Sequence, residues 1–328
     1  MVPDLDYLRR AYAETKRATT VTPLLPSAAL AKETGAAQVF VKAESLQWGG
    51  SFKVRGAYWR LTRLSPEERR QGVVAYSSGN FAQGLAAAGQ ALGVPVTIVM
   101  PVDAPAAKRE ATKSYGARVV LTEHGERARE EVASARAKEI AAEEGLALLH
   151  PFDDPEIVAG QAGAGLEALE QLAARGAAAD LLLCPVGGGG LLGGVALAFH
   201  HISPQTELVA VEPEGFDGMG RSLAGGGIET VPLGGKSLCD GLMARRPGEA
   251  PFAAVTEAGV RGVVVSDAAV RRAMRLAAEK LKLVLEPSGA AGLAALLEAR
   301  VEAAGKTALV IATGGNIALP DFSRLVAA

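Results

Sequence analysis

Leu181-Leu182-Leu183-Cys184-Pro185-Val186-Gly187-Gly188-Gly189-Gly190-Leu191-Leu192, running on through Gly193-Gly194 to Phe199, decides how the rest of the chain is read. No charge falls between Leu181 and Phe199, and the stretch is long enough to cross a bilayer as a helix. Four consecutive glycines, with Pro185 before them and Gly193 and Gly194 after, would break that helix. The same letters read directly as a strand over Leu181–Val186, a glycine loop and a helix from Leu191. A strand feeding a helix through a tight loop is the unit of an α/β protein, and no membrane span is expected.

The pattern repeats on both sides. Short apolar runs predict strands over Val39–Ala43, Val73–Ser77, Val96–Met100, Arg118–Thr122, Leu146–His150, Leu208–Glu212, Val263–Ser266 and Ala308–Ala312. Between them, helices are predicted over Asn80–Leu92, Glu126–Glu144, Pro155–Ala174, Asp267–Leu281 and Ser288–Arg300. Unbroken apolar strands imply burial on both faces, hence mostly parallel sheets wound with helices on either side. Gly215 to Gly248 is rich in glycine and poor in periodicity, and reads as a long irregular excursion.

With 328 residues the chain has room for about two domains. Lys and Arg total 34 against 36 Asp and Glu, for a net charge of -2. That balance supplies no basic face for nucleic-acid phosphates and points to a small-molecule partner. Cys184 and Cys239 both sit in or beside apolar sequence, which argues against a disulfide framework and for a reducing compartment. The N-terminus carries acids and no apolar core of a secretory signal, so a cytoplasmic location is expected.

Four segments carry chemistry. Gly49-Gly50-Ser51-Phe52-Lys53-Val54-Arg55-Gly56-Ala57 puts a lysine between an apolar residue and a helix-like run, just after a glycine turn. A lone lysine there would ordinarily face water. Ser77-Ser78-Gly79-Asn80 ends a strand and opens a helix, where Ser or Asn is commonly a simple cap. The same hydroxyls, amide and free N–H groups also suit a carboxylate. Gly187 to Gly190 can aim backbone N–H groups at a phosphate. Thr313-Gly314-Gly315-Asn316 follows the last strand, at the edge where parallel α/β sheets bind ligands.

Together these segments resemble the fold-type II pyridoxal-phosphate enzymes, in particular the threonine/serine dehydratase and serine racemase group, whose Schiff-base lysine lies in Ser-Phe-Lys-x-Arg-Gly-Ala. The resemblance spans nearly the whole chain and implies a two-domain architecture of the tryptophan synthase β type. Residues 1–66 with 147–328 would form a large cofactor-binding domain and 67–146 a small mobile one, each an open, mostly parallel sheet flanked by helices. It also implies a homodimer.

The resemblance assigns Lys53 as the catalytic Schiff-base lysine and Ser78 as a second acid/base. Pyridoxal 5'-phosphate would be bound by Phe52, Lys53, Asn80, Gly187, Gly188, Gly189, Gly190, Glu286 and Thr313. Substrate would be held by Ser77, Ser78, Gly79 and Asn80. A Thr at 313, facing the pyridine nitrogen in place of an acid, favours elimination over transamination. The activity implied is conversion of L-threonine to 2-oxobutanoate and ammonia, and of L-serine to pyruvate. Serine racemase and 3-hydroxyaspartate dehydratase are the alternatives within the group. Phe81 departs from the family's usual His after the Asn, removing a side-chain donor but not the backbone N–H.

Two further readings follow. Glu212 and Asp217, in Glu212-Pro213-Glu214-Gly215-Phe216-Asp217, resemble an oxygen-ligand site for Mg²⁺ or Ca²⁺, although an ungapped match puts the second acid at Gly218. Gly188-x-Gly190-x-x-Gly193 with Glu212 further on also fits an NAD fingerprint. A nicotinamide enzyme, however, has no need of the lysine and Ser-Ser-Gly-Asn segments. The short reach from Thr313 to Ala328 leaves no room for a C-terminal amino-acid-sensing domain, so feedback through one is not expected. His124, His150, His200 and His201 have no metal-ligand spacing and are assigned no role.

Overall fold

The computed structural model describes residues 2–125 and 129–327. Among the described residues ten strands form two sheets: β1 Leu24–Pro26, β2 Gln38–Ala43, β3 Val73–Tyr76, β4 Val96–Pro101, β5 Arg118–Thr122, β6 Ala147–Leu148, β7 Leu181–Pro185, β8 Glu207–Pro213, β9 Arg261–Val265 and β10 Thr307–Ala312. The larger sheet runs β1-β2-β10-β7-β8-β9 and the smaller β5-β4-β3-β6. Every pairing is parallel except β1 with β2. The α/β expectation holds. Among the described residues no helix is long and apolar enough to cross a membrane, and Leu181 to Phe199 divides into β7, the glycine loop and the helix Gly190–Ile202.

Burial on both sheet faces explains the unbroken apolar strands. In β7, Leu181 and Leu183 join Val39, Val41, Val209 and Val310 in the core on one face. Leu182 and Cys184 join Phe40, Ala210, Leu309 and Ile311 on the other. Both cysteines are free and buried, and burial pushes the Cys239 thiol up to about 12.

The structure corrects several boundaries. β1 lies outside the expected strands: it has three residues, contains Pro26 and sits at a sheet edge, where a missing N–H costs no ladder bond. The strand predicted over Leu146–His150 shortens to β6, because the chain leaves the sheet to form a turn at His150. The helix expected over Asp267–Leu281 is α-helical only to Leu276 and continues as a π-turn through Leu281. The helix expected over Glu126–Glu144 is present over Arg129–Glu144, and its first three positions, 126–128, lie outside the described residues. The excursion from Gly215 to Gly248 contains an α-helix, Gly218–Gly225, that its glycines conceal in the sequence, and a single 3-10 turn at Asp240–Leu242.

One charged cluster holds the sheet to the helices. Arg55, on the helix Lys53–Thr62, donates from Nε and NH2 to Glu44 at 2.8 and 2.9 Å. From NH1 and NH2 it donates to Glu167 at 2.8 Å each. Lys42 of β2 donates to Glu167 at 2.8 Å and to the Thr22 carbonyl at 2.7 Å. All four side chains are excluded from water. Two cations and two carboxylates therefore balance within one hydrogen-bonded group, which is what lets charges sit in an interior. Removing Glu167 would leave both cations short of a counter-charge. We expect Glu167→Ala to lower the unfolding free energy by about 3–5 kcal/mol, read from urea denaturation. A loss under about 1 kcal/mol would mean that the cluster contributes little to holding this helix.

Candidate active site

Lys53 is the first residue of its helix, and the turn before it is stitched to the end of β10. Gly49 and Gly50 have φ of 77° and 72°. A Cβ on Gly50 would also collide with Asn316 Oδ1. Ser51 forms an antiparallel bridge with Gly314, Phe52 N donates to Thr313 O at 3.3 Å, and Gly315 N donates to Gly50 O at 3.0 Å. The lysine and the Thr313 segment, 260 positions apart, are thus neighbours through backbone contact.

The Lys53 side chain is half-buried, and its Nζ donates to the Pro151 carbonyl at 3.2 Å. The Phe52 and Phe81 ring centres lie 5.0 and 5.7 Å from it. Loss of hydration lowers the ammonium pKa to about 8, against the opposing pull of the Glu286 carboxylate. A lysine with that pKa has a substantial neutral-amine population near neutral pH, as nucleophilic and proton-accepting roles demand.

Asn80 begins the helix Asn80–Leu92, but Gly79 is the capping residue and no side chain caps it. Instead Asn80 Nδ2 donates to Glu286, and Asn80 Oδ1 accepts from Asn316 Nδ2 at 2.8 Å. Of the two readings of this Asn, the simple cap is excluded. Ser77 Oγ accepts from Gly79 N at 3.2 Å, and Ser78 is half-buried beside it.

Glu286 is buried, and burial together with the charge of Asp240 raises its pKa to about 7. Lys108 opposes that rise but is itself paired with Asp240 at 2.7 Å. Thr313 is buried at the end of β10, where its hydroxyl makes a long 3.5 Å bond to Ser288 O. Ser51 Oγ is buried with no hydrogen-bond partner.

Gly187–Gly190 bends tightly between two walls. A Cβ on Gly188 would run into the Phe152 ring, and one on Gly187 would lie 3.0 Å from Gly241 O. Gly189 has φ +96°. The first turn of the helix Gly190–Ile202 leaves N–H groups without intrahelical partners. This side-chain-free loop at a helix N-terminus is joined through Phe152 and Pro151 to a lysine of lowered pKa. Together they form the donor set for a phosphorylated aldehyde: N–H groups for the phosphate and an amine for the carbonyl carbon.

The structure therefore gathers Phe52, Lys53, Ser77–Asn80, Gly187–Gly190, Glu286 and Thr313 at the carboxyl ends of β3, β7 and β10. Glu212 and Asp217, the pair read as oxygen ligands, each have partners within the protein, and the Asp217 charge acts on Glu212. Both Glu212 oxygens accept backbone N–H groups, from Met219 and Gly220 at 2.8 Å, while Asp217 pairs with Arg221 at 2.8 Å. Among the described residues no group of three or more His, Cys, Asp or Glu could hold a metal. That inward turn also removes Glu212 from the ribose-binding role of the NAD reading.

Nothing in the local letters marks His150, Pro151 or Phe152 as parts of the site, and Asn316, the last letter of the Thr313-Gly314-Gly315-Asn316 segment, has no role assigned from the sequence. Asn316 Nδ2 also donates to Gly49 O at 2.8 Å, tying the lysine turn to Asn80.

Because Glu286 takes up a proton in the folded state between pH 4.5 and about 7, while the unfolded chain has already released it, its contribution to stability is lost as pH rises through that window. Glu286→Gln keeps an acceptor for Asn80 without the charge. Relative to wild type, the variant should become more stable between pH 4.5 and about 7 by about 2–3 kcal/mol. Urea unfolding of both cofactor-free proteins across that range measures the difference, and parallel curves would sink the assignment.

The chain matches the model of a family described as pyridoxal-phosphate dependent enzymes over residues 15–314. It is 41% identical over 306 residues to the L-threo-3-hydroxyaspartate ammonia-lyase of Pseudomonas sp, covering 93% of this chain and 92% of that one. Among solved structures, maize serine racemase superposes with a TM-score of 0.91 at 34% identity, covering 99% of this chain and 97% of that one. The T.th. threonine deaminase superposes with a TM-score of 0.88 at 41% identity, covering 97% of this chain and 99% of that one.

Proposed function

Since the chain belongs to the pyridoxal-phosphate dependent enzyme family, and within it to the ammonia-lyases and racemases, we propose that it is a threonine dehydratase. It would convert L-threonine to 2-oxobutanoate and ammonia, and L-serine to pyruvate and ammonia. The observation that carries this reading is the Lys53 amine, its pKa lowered to about 8. It is tied through Pro151 and Phe152 to the Gly187–Gly190 loop, and flanked by Phe81 of the helix that the Ser77–Asn80 turn opens.

In this reading Lys53 would hold the cofactor carbon, Gly187 to Gly190 its phosphate and Thr313 its pyridine nitrogen, with Phe52, Asn80 and Glu286 along the ring. Bound there, pyridoxal phosphate supplies an electron sink that acidifies the substrate α-C–H. The Lys53 amine would take the α-proton onto Nζ and give it back to the β-hydroxyl, which departs as water; water taken up afterwards replaces the amino nitrogen, giving the 2-oxo acid and ammonia. The substrate carboxylate is received by the Ser77–Asn80 turn. Ser77 Oγ, already an acceptor for Gly79 N, keeps its own proton to donate.

The charges around Lys53 favour a substrate with a neutral β-substituent. Glu286 acts on Lys53, with Asp240 behind it, and Asp153 and Asp154 act on the neighbouring His150, Asp154 being itself paired with Arg60 at 2.7 Å. Lys108, the other cation that reaches Glu286, is paired with Asp240. A β-carboxylate would add an anion to the field of Glu286 and Asp153. The name of the Pseudomonas relative nonetheless makes threo-3-hydroxyaspartate the competitor to measure.

The purified protein should be yellow, change its visible spectrum with L-threonine, and release 2-oxobutanoate. Lys53→Ala should lower turnover by at least roughly 10²–10⁴-fold. The kcat/KM for threonine should exceed that for threo-3-hydroxyaspartate at least about tenfold, a difference of about 1.4 kcal/mol in transition-state binding. A preference for hydroxyaspartate would overturn the substrate assignment while leaving the lyase assignment intact. Undiminished turnover in Lys53→Ala would overturn both.

Ser78 carries the second activity considered for this group, serine racemisation. Ser78→Ala should keep dehydration and abolish any interconversion of L- and D-serine, as a chiral assay would detect. Racemisation at the wild-type rate would remove Ser78 from that role.

A further inference from the structure

We infer that His150 is a positioning residue for Lys53: its Nδ1 folds the turn that presents the Pro151 carbonyl to the lysine Nζ. The inference rests on the reading of Lys53 as the group that carries the α-proton. It extends that reading to a residue that touches no reacting atom.

His150 Nδ1 accepts from Asp153 N at 2.8 Å and, more weakly, from Phe152 N at 3.4 Å. Nδ1 is bonded to Cγ, as the side-chain oxygen of Asn is, so the ring closes the kind of turn that Asn and Asp close by accepting N–H groups two and three residues on. An accepting Nδ1 carries no proton, so the ring proton lies on Nε2, which faces the Tyr76 hydroxyl at 3.2 Å. Burial lowers the His150 pKa, and the Lys53 charge lowers it further against the pull of Asp153 and Asp154. The ring therefore stays neutral, and accepting, at neutral pH.

The turn has two products. The Pro151 carbonyl lies 3.2 Å from Lys53 Nζ. A carbonyl accepts a hydrogen bond from an ammonium without removing its proton, so Lys53 can hold a proton there and give it back. The Phe152 ring, packed edge-on to His150 at 4.6 Å, belongs to a residue that lies against Gly188 and Gly190 and walls the glycine loop. The remaining groups facing Lys53 are Glu286 and the Phe52 and Phe81 rings, none of which belongs to this turn.

The test uses the full-length protein freed of cofactor, so that the Lys53 amine is open to reagent. Acetic anhydride labelling of Lys53, followed by mass spectrometry from about pH 6 to about pH 10, brackets its midpoint without reference to turnover. His150→Leu removes the acceptor from the turn. The ammonium then loses its carbonyl, and the midpoint should fall by about one pH unit, the size of losing one hydrogen bond to a charged group. His150→Asn supplies an oxygen where Nδ1 was and should restore most of the wild-type midpoint. A leucine variant whose midpoint stays or rises overturns the inference, as does an asparagine variant no closer to wild type than leucine. Should leucine prevent folding, ¹⁵N-histidine spectra of the wild-type protein decide: an unprotonated, hydrogen-bonded Nδ1 supports the turn and a protonated Nδ1 overturns it. A midpoint that moves as expected in a protein that turns over no hydroxy-amino acid supports the positioning role and overturns only the lyase reading.

Discussion

Arg55 leaves water entirely, and the position of Lys53 follows from how that charge is satisfied. Its guanidinium meets Glu44 with one edge and Glu167 with another, and Glu167 also receives Lys42. The three residues besides Arg55 come from β2, the turn after it and the helix Pro155–Ala173. A helix fixed on that many sides near its start can move neither along its axis nor about it. The fork geometry matters, because an ammonium at 55 could not serve both carboxylates in one plane. The cluster is also remote enough from solvent that salt should hardly screen it. It fixes the backbone from which Lys53 reaches toward the Pro151 carbonyl.

Dehydration sets the electrostatics of the site in two opposite ways. The same exclusion of water lowers the Lys53 ammonium to about 8 and raises the Glu286 carboxyl to about 7. Each group opposes the other's shift, since their charges attract. An amine and an acid whose pKa values are brought this close can both change protonation state near neutral pH at little cost. Asn80 lies between them in function, because its amide donates to Glu286 while its oxygen accepts from Asn316. Protonation of Glu286 is thereby linked to the orientation of the residue that opens the helix after the Ser77–Asn80 turn.

What the sequence discloses is local. The start of the helix at Asn80, the end of β10 at Ala312 and the glycine loop after β7 each depend on a few adjacent letters, and each is legible in them. The boundaries that moved depend on distant partners. β1 exists only because Leu24–Pro26 pairs with Phe40–Lys42, which no window of neighbours reveals. His150 is silent in the sequence because its value lies in a turn that it closes itself and in a lysine 97 positions earlier. The partners of Glu212 are just as silent: its carboxylate accepts from the Met219 and Gly220 N–H groups, which the letters around it do not announce. Lys42 and Glu167 cannot be matched as partners across a sequence separation of 125.

The glycines mark where such distant pieces meet. A Cβ on Gly84 would lie 2.8 Å from the Lys53 backbone, and one on Gly289 would collide with Gly314 O. Neither glycine has a positive φ, so conformational freedom is not why they are there. They permit backbone-to-backbone contact between the helices Asn80–Leu92 and Lys53–Thr62, and between the helix Pro287–Leu297 and the end of β10. Elements packed this closely have little freedom to slide, because the first displacement is a clash of main-chain atoms rather than a side-chain rotation. Glu286, Asn80 and Lys53 are carried on those elements or at their ends, so their mutual placement is set by main-chain contact. A site assembled in this way is held by main-chain contact rather than by the loops around it.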